Sequence, residues 1–567
     1  MSNEEIAQMF LDIADFLEIE NVQWEPRAYR KAALTISSLP VDIKQIYEEG
    51  KLMDLEGIGS SISKSIEEYI KTGRMSKYDS LSKKYPLDLR AFRKIQGMGP
   101  KRAYALYKKL GIRSINDLKS ALESGKIRKL EGFGEKSEMQ LKHNLESFMK
   151  VKEERKMLGY VIDYFEALAR EMRKNGPFFS VEIAGSTRRM KETVGDLDIL
   201  ATSDKPQKGM EFFTGMKQVK EIIVKGDTKT SVKLDIGINC DLRIVENGSF
   251  GAAMQYFTGN KDHNVKLRKI AISKGLKLNE YGLFKGSTSI AGATEEKVYE
   301  TLGLKWIEPE LRENTGEIEA ARKGTLPKIV KYEEILGDLH VHTKDSDGAN
   351  SLEEMVAAAE GFGHKFIAIT NHSKGLRIAN GLDEKRFSVF NNKIDKLNEK
   401  SNIKILKGVE LEILKDGSVD LSAGVLKNMD FVIGAMHQNT NMPRKELTNR
   451  LIRAIESGLI NTVAHPTGRK IGERAPFDLD YESIFEACKK NDVLLEIDGF
   501  PERSDLPFDM VKLAKVYGIR FSLGSDAHRD MQLRFIRMAG AIARRGWLEK
   551  RDVVNTMDYK DIQRLKR

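Results

Sequence analysis

With 567 residues, 40% apolar and 31% charged, the chain is too long for one core and too apolar for disorder, so several domains of roughly 100–200 residues are expected. Two distant cysteines, Cys240 and Cys488, exclude a disulfide framework, while the acidic start MSNEEIAQMF and the lack of a membrane-length apolar run point to a cytoplasmic protein with no membrane partner. The net charge of +10 is local: residues 1–50 hold 4 Lys+Arg against 10 Asp+Glu and residues 51–150 hold 22 against 12, the footprint of a polyanion partner.

Residues 1–150 read as helices, with Ile6, Met9, Phe10, Ile13 and Phe16 at helical spacing. One pattern returns three times, LEGIGSSISKSI at 55–66, IQGMGPKRAYAL at 95–106 and LEGFGEKSEMQL at 130–141. Each pair of glycines, Gly57 and Gly59, Gly97 and Gly99, Gly132 and Gly134, allows a sharp turn and leaves backbone N–H groups free at a helix start, where phosphate binds well. The pattern resembles the helix-hairpin-helix element, which grips DNA backbone without reading bases, and Lys101 adds a cation beside the second turn.

Residues 151–247 change to a helix near 153–175 followed by strand-like runs at 181–185, 196–201, 220–225, 231–236 and 240–245, read as an antiparallel sheet. The stretch GSTRRMKETVGDLDIL at 185–200 carries Asp196 and Asp198 two apart, hence on one strand face. Two adjacent carboxylates repel unless a cation lies between them, and hard dications take such oxygens together with substrate phosphates. Gly185, Ser186, Arg188 and Arg189 supply donors for phosphate just upstream. A neighbouring strand, CDLRIV, can add Asp241; its rival Asp235 precedes a Gly-Ile-Asn turn and belongs at a hairpin end.

With YFTGNKDHNVKLRKIA at 256–271 and LNEYGLF at 278–284, these motifs resemble the palm and thumb of the family X DNA polymerases, over residues 1 to about 315. The resemblance implies Mg²⁺ or Mn²⁺ on Asp196, Asp198 and Asp241; a triphosphate held by Gly185, Ser186, Arg189 and Gly195; a sugar flanked by Tyr256, Phe257 and Gly259; Asn264 near the base and Arg268 behind it. Gapped or primer-template DNA and deoxynucleoside triphosphates are the implied partners, and a monomer is the default. Where relatives place a Schiff-base lysine for 5′-deoxyribose phosphate removal, this chain has Ser65, with Lys64 about 100° away on the helix, which argues against lyase activity. Tyr29, Arg30 and Lys31 have two readings: a 5′-phosphate pocket or a solvated basic helix face.

Residues 308–335 are charged, with Pro309 and Pro327, and read as a linker. From 336 onward lie seven of the nine histidines, and six strand-like runs each end on His, Asp or Glu before a helical stretch: GDLHVHTKDSDG, FIAITNHS, ILKGVELEI, FVIGAMHQ, NTVAHP and RFSLGSDAH. Ligand-type residues repeated at strand ends describe a barrel with its site at the C-terminal rim. The region resembles the polymerase and histidinol phosphatase (PHP) domain, a distorted (β/α)7 barrel. Its nine metal positions fall on His340, His342, Asp347, His372, Glu410, His437, His465, Asp526 and His528, implying up to three Zn²⁺, Mn²⁺ or Fe²⁺ ions and 3′→5′ exonuclease activity, with abasic-site cleavage a further option. Glu412 shares the face of Glu410 as a partner behind the ligands, and His364 is structural.

The expected architecture is multidomain: all-α helix-hairpin-helix domains at 1–80 and 81–150 (the fingers), an α+β nucleotidyltransferase palm at 151–247, a thumb at 248–315, a linker at 316–335 and an α/β barrel at 336–567. Two other functions compete with a gap-filling polymerase and exonuclease: a polymerase with a purely structural barrel, and a phosphoesterase fused to a DNA-binding module.

Overall fold

The computed structural model describes residues 3–37, 43–55, 57–93, 95, 97–130, 133–153 and 155–565. They form two compact units, 1–154 and 155–567.

The first unit is all helix around one apolar cluster that includes Phe10, Ile13, Tyr29, Ile62, Phe92 and Leu106. Each Gly-x-Gly buries its central residue, Ile58, Met98 and Phe133 in turn, so the repeated sequence is a repeated way of pinning a turn to the core. Gly57 and Gly97 both take φ +82, a left-handed value that glycine adopts without strain. Gly59 and Gly99 precede the helices Ser60–Thr72 and Pro100–Leu110, and neither helix start receives a side-chain cap. Gly134 leads into the helix Glu135–Glu153, while Gly132 lies outside the described residues.

The second unit begins with the palm. Its helix Leu158–Asn175 packs on a five-stranded sheet made of β1 (Ser180–Ile183), β2 (Asp196–Thr202), β3 (Val219–Lys225), β4 (Lys229–Leu234) and β5 (Asn239–Ile244), in the order β1-β2-β5-β4-β3. The sheet is mixed and not antiparallel throughout, because β2 and β5 pair in parallel. After β2 the helix Pro206–Thr214 crosses to the far edge, and two antiparallel pairings, β3 with β4 and β4 with β5, bring the chain back alongside β2 in the same direction. The thumb follows, with helices Phe250–Thr258, Lys261–Ser273 and Glu295–Thr301 and a three-stranded antiparallel sheet spanning 277–291.

Residues 308–335 are not a loose linker. Leu311, Ile318, Ala321, Ile329 and Val330 are buried, a helix forms over Glu317–Lys323, and Arg312 and Glu317 are fully buried charges. The charged composition misleads here because the charges find partners inside: Arg312 pairs with Glu295, and Glu317 accepts a hydrogen bond from the buried imidazole of His263.

The barrel comprises β6 (Gly337–Val341), β7 (Phe366–Ile369), β8 (Lys404–Glu412), β9 (Phe431–Ala435), β10 (Thr462–Val463), β11 (Leu494–Asp498) and β12 (Phe521–Gly524), all parallel and in sequence order. A bridge between Val341 and Ala527 joins the first strand to the chain just past the last. Alternation sorts the two faces: Phe366 and Ala368 join Leu339, Phe431 and Ile433 in one cluster that Val554 and Ile562 complete, while Ile367 and Ile369 pack among the outer helices. The barrel's helix Ile536–Arg545 inserts Met538 and Ala541 into the palm's own core. Among the described residues no helix is long and apolar enough to cross a membrane.

Candidate functional site

The palm site is built by the β2–β5 register, which sets Asp198 opposite Asp241 and Asp196 opposite Asn239. Leu197, Ile199, Cys240 and Leu242 point into the core, so the alternation forces the three carboxylates to the other face. Gly185, at φ +64, lies so close to Asp198 that any Cβ would collide with its carboxylate. Burial, then the neighbouring charges of Asp196 and Asp241, push the Asp198 carboxyl up to about 6. Three mutually repelling carboxylates with one Lys229 ammonium at 3.3 Å from Asp241 fit divalent cations well. Asp235 stays out of the site, at the end of β4, where it accepts a hydrogen bond from the Tyr164 hydroxyl.

Several nucleotide contacts expected from the sequence are committed elsewhere. Arg189 is buried, donating to Glu313 at 2.8 Å and to the Thr258 carbonyl at 2.7 Å. Asn264 is also buried: it donates to the carbonyls of Tyr256 and Gly259 and accepts from Gln255, so its amide locks the Tyr256–Gly259 turn instead of facing a base. Gly259 is required for this, since a Cβ would meet the Asn264 side chain. Ser186 lies in the short helix Gly185–Arg188 and Gly195 immediately precedes Asp196, Tyr256 and Phe257 pack edge to face at 5.0 Å, and Arg268 is exposed on its helix. In the helical unit Tyr29 is a core residue, 2% exposed, and Arg30 is held by Asp15 and Glu18. Only Lys31 of that triplet is exposed, because the helix turns the other two inward. Lys101 is exposed at the start of its helix, Ser65 donates to the Ser61 carbonyl, and Lys64 points to solvent.

Palm and thumb are joined by Arg188, which forks onto Glu295 at 2.8 and 3.0 Å, and by the buried Arg312 on the same carboxylate. Burial raises the Glu295 carboxyl, but Arg312 and Arg188 outweigh it and hold it at about 2. A depressed carboxylate stabilises the fold above its unfolded pKa and loses that contribution as pH falls toward the folded value, here between about 4.5 and 2. Glu295→Gln is therefore expected to cost roughly 3 kcal/mol at neutral pH. The gap to wild type should narrow below about pH 4, as denaturant midpoints at the two pH values will show; an unchanging gap refutes the assignment.

At the barrel rim all nine predicted ligands converge. The donor atoms of eight of them form three sets, each within 4.8 Å: His342, Asp347, His372 and His528; His340, His342 and Asp526; His372, Glu410 and His437. The His465 Nε2 atom lies 2.9 Å from Glu410 Oε1. Buried His342 Nδ1 and Glu410 Oε2 have no hydrogen-bond partner, and the Nε2 atoms of His340 and His342 face each other at 3.0 Å. Imidazole nitrogens and carboxylate oxygens that lack hydrogen-bond partners and converge in one pocket are what a cluster of divalent ions requires. His342 is pushed down to about 3 by burial and by His528 and His372, so it stays neutral, the form that ligates. His465 and Asp526 adopt positive φ values of 28° and 51°, backbone strain of the kind concentrated at working sites. As expected, Glu412 stands behind the cluster, accepting from His437 Nδ1 at 2.8 Å, while His364 is buried away from it.

Four residues behind or beside the ligands escape the sequence reading. Glu496 on β11 takes His340 Nδ1 at 2.6 Å and the His465 amide, Asp338 accepts the amides of His340 and Ser525, and Arg503 lies 3.3 Å from Asp526 and 3.6 Å from Asp498. β11, with the sequence LLEID, carries the same apolar–acidic alternation as DLDIL, and that was the available signal; lacking a histidine, it resembles any polar strand.

Comparison with known proteins identifies the family and several of its domains. Residues 253–313 match the DNA polymerase beta thumb family, 338–498 the PHP domain, 1–75 a helix-hairpin-helix domain and 89–145 a SAM-like helix-hairpin-helix tandem. The DNA polymerase/3'-5' exonuclease PolX of Bacillus subtilis (strain 168) is 35% identical over 569 aligned residues, 99% of each chain. The chain belongs to the family X DNA polymerases that carry a PHP domain. Other relatives of this family X chain match parts of it. DNA polymerase lambda of Arabidopsis thaliana is 27% identical over 55% of this chain and 62% of its own, and a probable phosphatase of Caldicellulosiruptor saccharolyticus is 33% identical over 34% of this chain and 79% of its own.

Proposed function

We propose that this family X chain fills short gaps in DNA with its palm and removes 3′-terminal nucleotides with its barrel. The observation that carries the reading is the presence, in one compact unit, of three carboxylates aligned by a parallel strand pair and a nine-residue imidazole and carboxylate cluster.

In the palm, Asp196, Asp198 and Asp241 hold Mg²⁺ or Mn²⁺. Ions held there would supply the positioning and charge neutralisation that nucleotidyl transfer needs. Gly185, Ser186 and Gly195 offer the triphosphate a turn whose close approach to Asp198 only glycine allows. Arg188 and Arg189 act from behind, fixing that turn to Glu295, Glu313 and Thr258. Tyr256, Phe257 and Gly259 shape the sugar side, with Asn264 holding them in place, and Arg268 supplies an exposed cation. The uncapped helix starts after Gly59 and Gly99, the helix start after Gly134 and the exposed Lys101 bind DNA phosphates without base readout.

In the barrel, the nine residues would hold up to three Zn²⁺, Mn²⁺ or Fe²⁺ ions, whose chemistry there would be to acidify water and to neutralise charge on a phosphodiester. Arg503, next to Asp526 in the cavity, provides the cation nearest to where that phosphate lies. A reducing cytoplasm fits the two buried free cysteines, and a monomer is the state proposed.

The test is a gapped primer-template incubated with and without deoxynucleoside triphosphates. Extension in their presence and shortening in their absence are expected. In an Asp196→Ala/Asp198→Ala variant extension should disappear and shortening persist. Extension that survives in the variant, or shortening that disappears with extension, overturns the division of labour.

A further inference from the structure

The mouth of the barrel cavity carries a side chain that folding does not explain. Ile378 is 95% exposed, the most exposed large apolar residue among those described. Leaving such a side chain in water forgoes the stabilisation that burial gives. It belongs to the short turn Arg377–Ala379, in which Ala379, like Leu376 just before the turn, is buried, and all three apolar residues line the same cavity as His372, Glu410, His437 and Asp526.

The turn is held rigidly to the ligand-bearing segments. Ser373 and the Gly375 amide donate to Asp420 at 2.8 and 2.5 Å; Gln438, next to His437, donates to the Gly375 carbonyl at 2.8 Å; the Leu382 amide donates to the His372 carbonyl at 2.7 Å. Asn380 reaches the Asp345 carbonyl at 3.2 Å, and Arg386 closes on the Asn380 carbonyl at 2.8 Å. The exposed isoleucine therefore stands at a fixed distance from the cluster. Beside it, Arg377 is exposed as well and offers a cation to a backbone phosphate.

The cavity volume is about 310 Å³, at the low end of small-ligand sites, which run from about 300 to 1,000 Å³. That is room of the order of a single nucleotide and less than a base pair needs. A paired 3′ end must give up the pairing and stacking of its last nucleotide before the scissile phosphate reaches the cluster. Enzymes that act on an extruded nucleotide meet this cost with an apolar side chain that takes the place of the lost stack. Building on the exonuclease reading above, we infer that Ile378 is a wedge that separates the 3′-terminal nucleotide of paired DNA from its neighbour, and that it sets how well the barrel attacks matched ends. It is a positioning residue and touches none of the ligands' chemistry.

The experiment compares wild type with Ile378→Ala and Ile378→Met in the full chain, on a matched duplex 3′ end, on the same strand unpaired, and on bis(p-nitrophenyl) phosphate. Ile378→Ala should cut the matched duplex end about tenfold more slowly, equivalent to about 1.4 kcal/mol. The unpaired strand and the small ester, which need no separation, should keep their wild-type rates, and Ile378→Met, keeping an apolar side chain of similar reach, should retain the wild-type ratio of paired to unpaired cutting. An Ile378→Ala enzyme that loses paired and unpaired cutting equally, or loses neither, overturns the wedge alone. A wild-type protein that hydrolyses the ester but shortens no DNA overturns the exonuclease reading and the wedge with it.

Discussion

Glu410→Gln is expected to eliminate removal of 3′-terminal nucleotides while leaving gap filling at its wild-type rate. Glu410 is the hub of the barrel cluster. One of its oxygens lies 2.9 Å from His465 and 3.3 Å from His437, and the other 3.0 Å from His372, 3.3 Å from His340 and 3.4 Å from His342. Burial opposes its charge, but His372, His340 and His437 hold its carboxyl well below the ordinary range. An amide of the same shape removes the negative charge that offsets the bound cations and turns N–H donors toward nitrogens that need their lone pairs for metal. Losing a mere outer partner of a metal ligand costs 10–100-fold, so loss of a central one should exceed about 100-fold in exonuclease rate and lower the metal bound per chain. The palm shares no residue with this cluster, so primer extension is the internal control. Retained exonuclease activity with a full metal complement would sink the assignment of Glu410, and loss of both activities would show that the variant had damaged the fold.

What the sequence discloses and what it hides divide along physical lines. Alternation within one strand is local, and so Asp196, Asp198 and the inward-facing Leu197 and Ile199 could be read directly. The strand partner of Asp198 is not local: CDLRIV shows that Asp241 shares its periodicity, but the parallel pairing follows from the crossover helix Pro206–Thr214, whose path no motif encodes. The candidate ligands of the barrel could be picked out because their apolar runs end on them, whereas Glu496 on a histidine-free strand could not. Charge is the weakest guide. Arg312 and Glu317 look like linker residues and are buried in pairs; Arg189 and Asn264 look like substrate contacts and spend their hydrogen bonds on the protein; Tyr29 and Arg30 look like a phosphate pocket and face the core and two carboxylates. In each case a polar side chain announces that it needs a partner, and only the fold decides whether that partner is solvent, substrate or protein.

Arg545→Ala should destabilise the chain by about 3–5 kcal/mol, the usual cost of stranding one member of a buried ion pair, and the loss should appear in the palm although Arg545 belongs to the barrel. Its side chain is fully buried, stacked 4.1 Å over Phe508, and its Nη1 lies 2.7 Å from Glu192, which Arg469 also approaches at 3.9 Å. Burial raises the Glu192 carboxyl, but Arg545 outweighs it and keeps the group charged. Glu192 lies between Arg189 and Asp196, and its carbonyl accepts from the Leu158 amide at the start of the palm helix. Without the guanidinium, the buried carboxylate must be solvated or protonated, and either requires the loop that leads into Asp196 to move. Nucleotide addition should then need a higher triphosphate concentration, while cutting of an unpaired strand continues at temperatures where the variant stays folded. Arg545→Met combined with Glu192→Leu removes both charges and should be more stable than Arg545→Ala, because no ion is left unpaired. Denaturant unfolding of the three proteins, with the triphosphate KM measured for each, decides the matter. If Arg545→Ala costs less than about 1 kcal/mol, or leaves that KM unchanged, the barrel does not position the polymerase loop, and Met538 and Ala541 in the palm core are packing only.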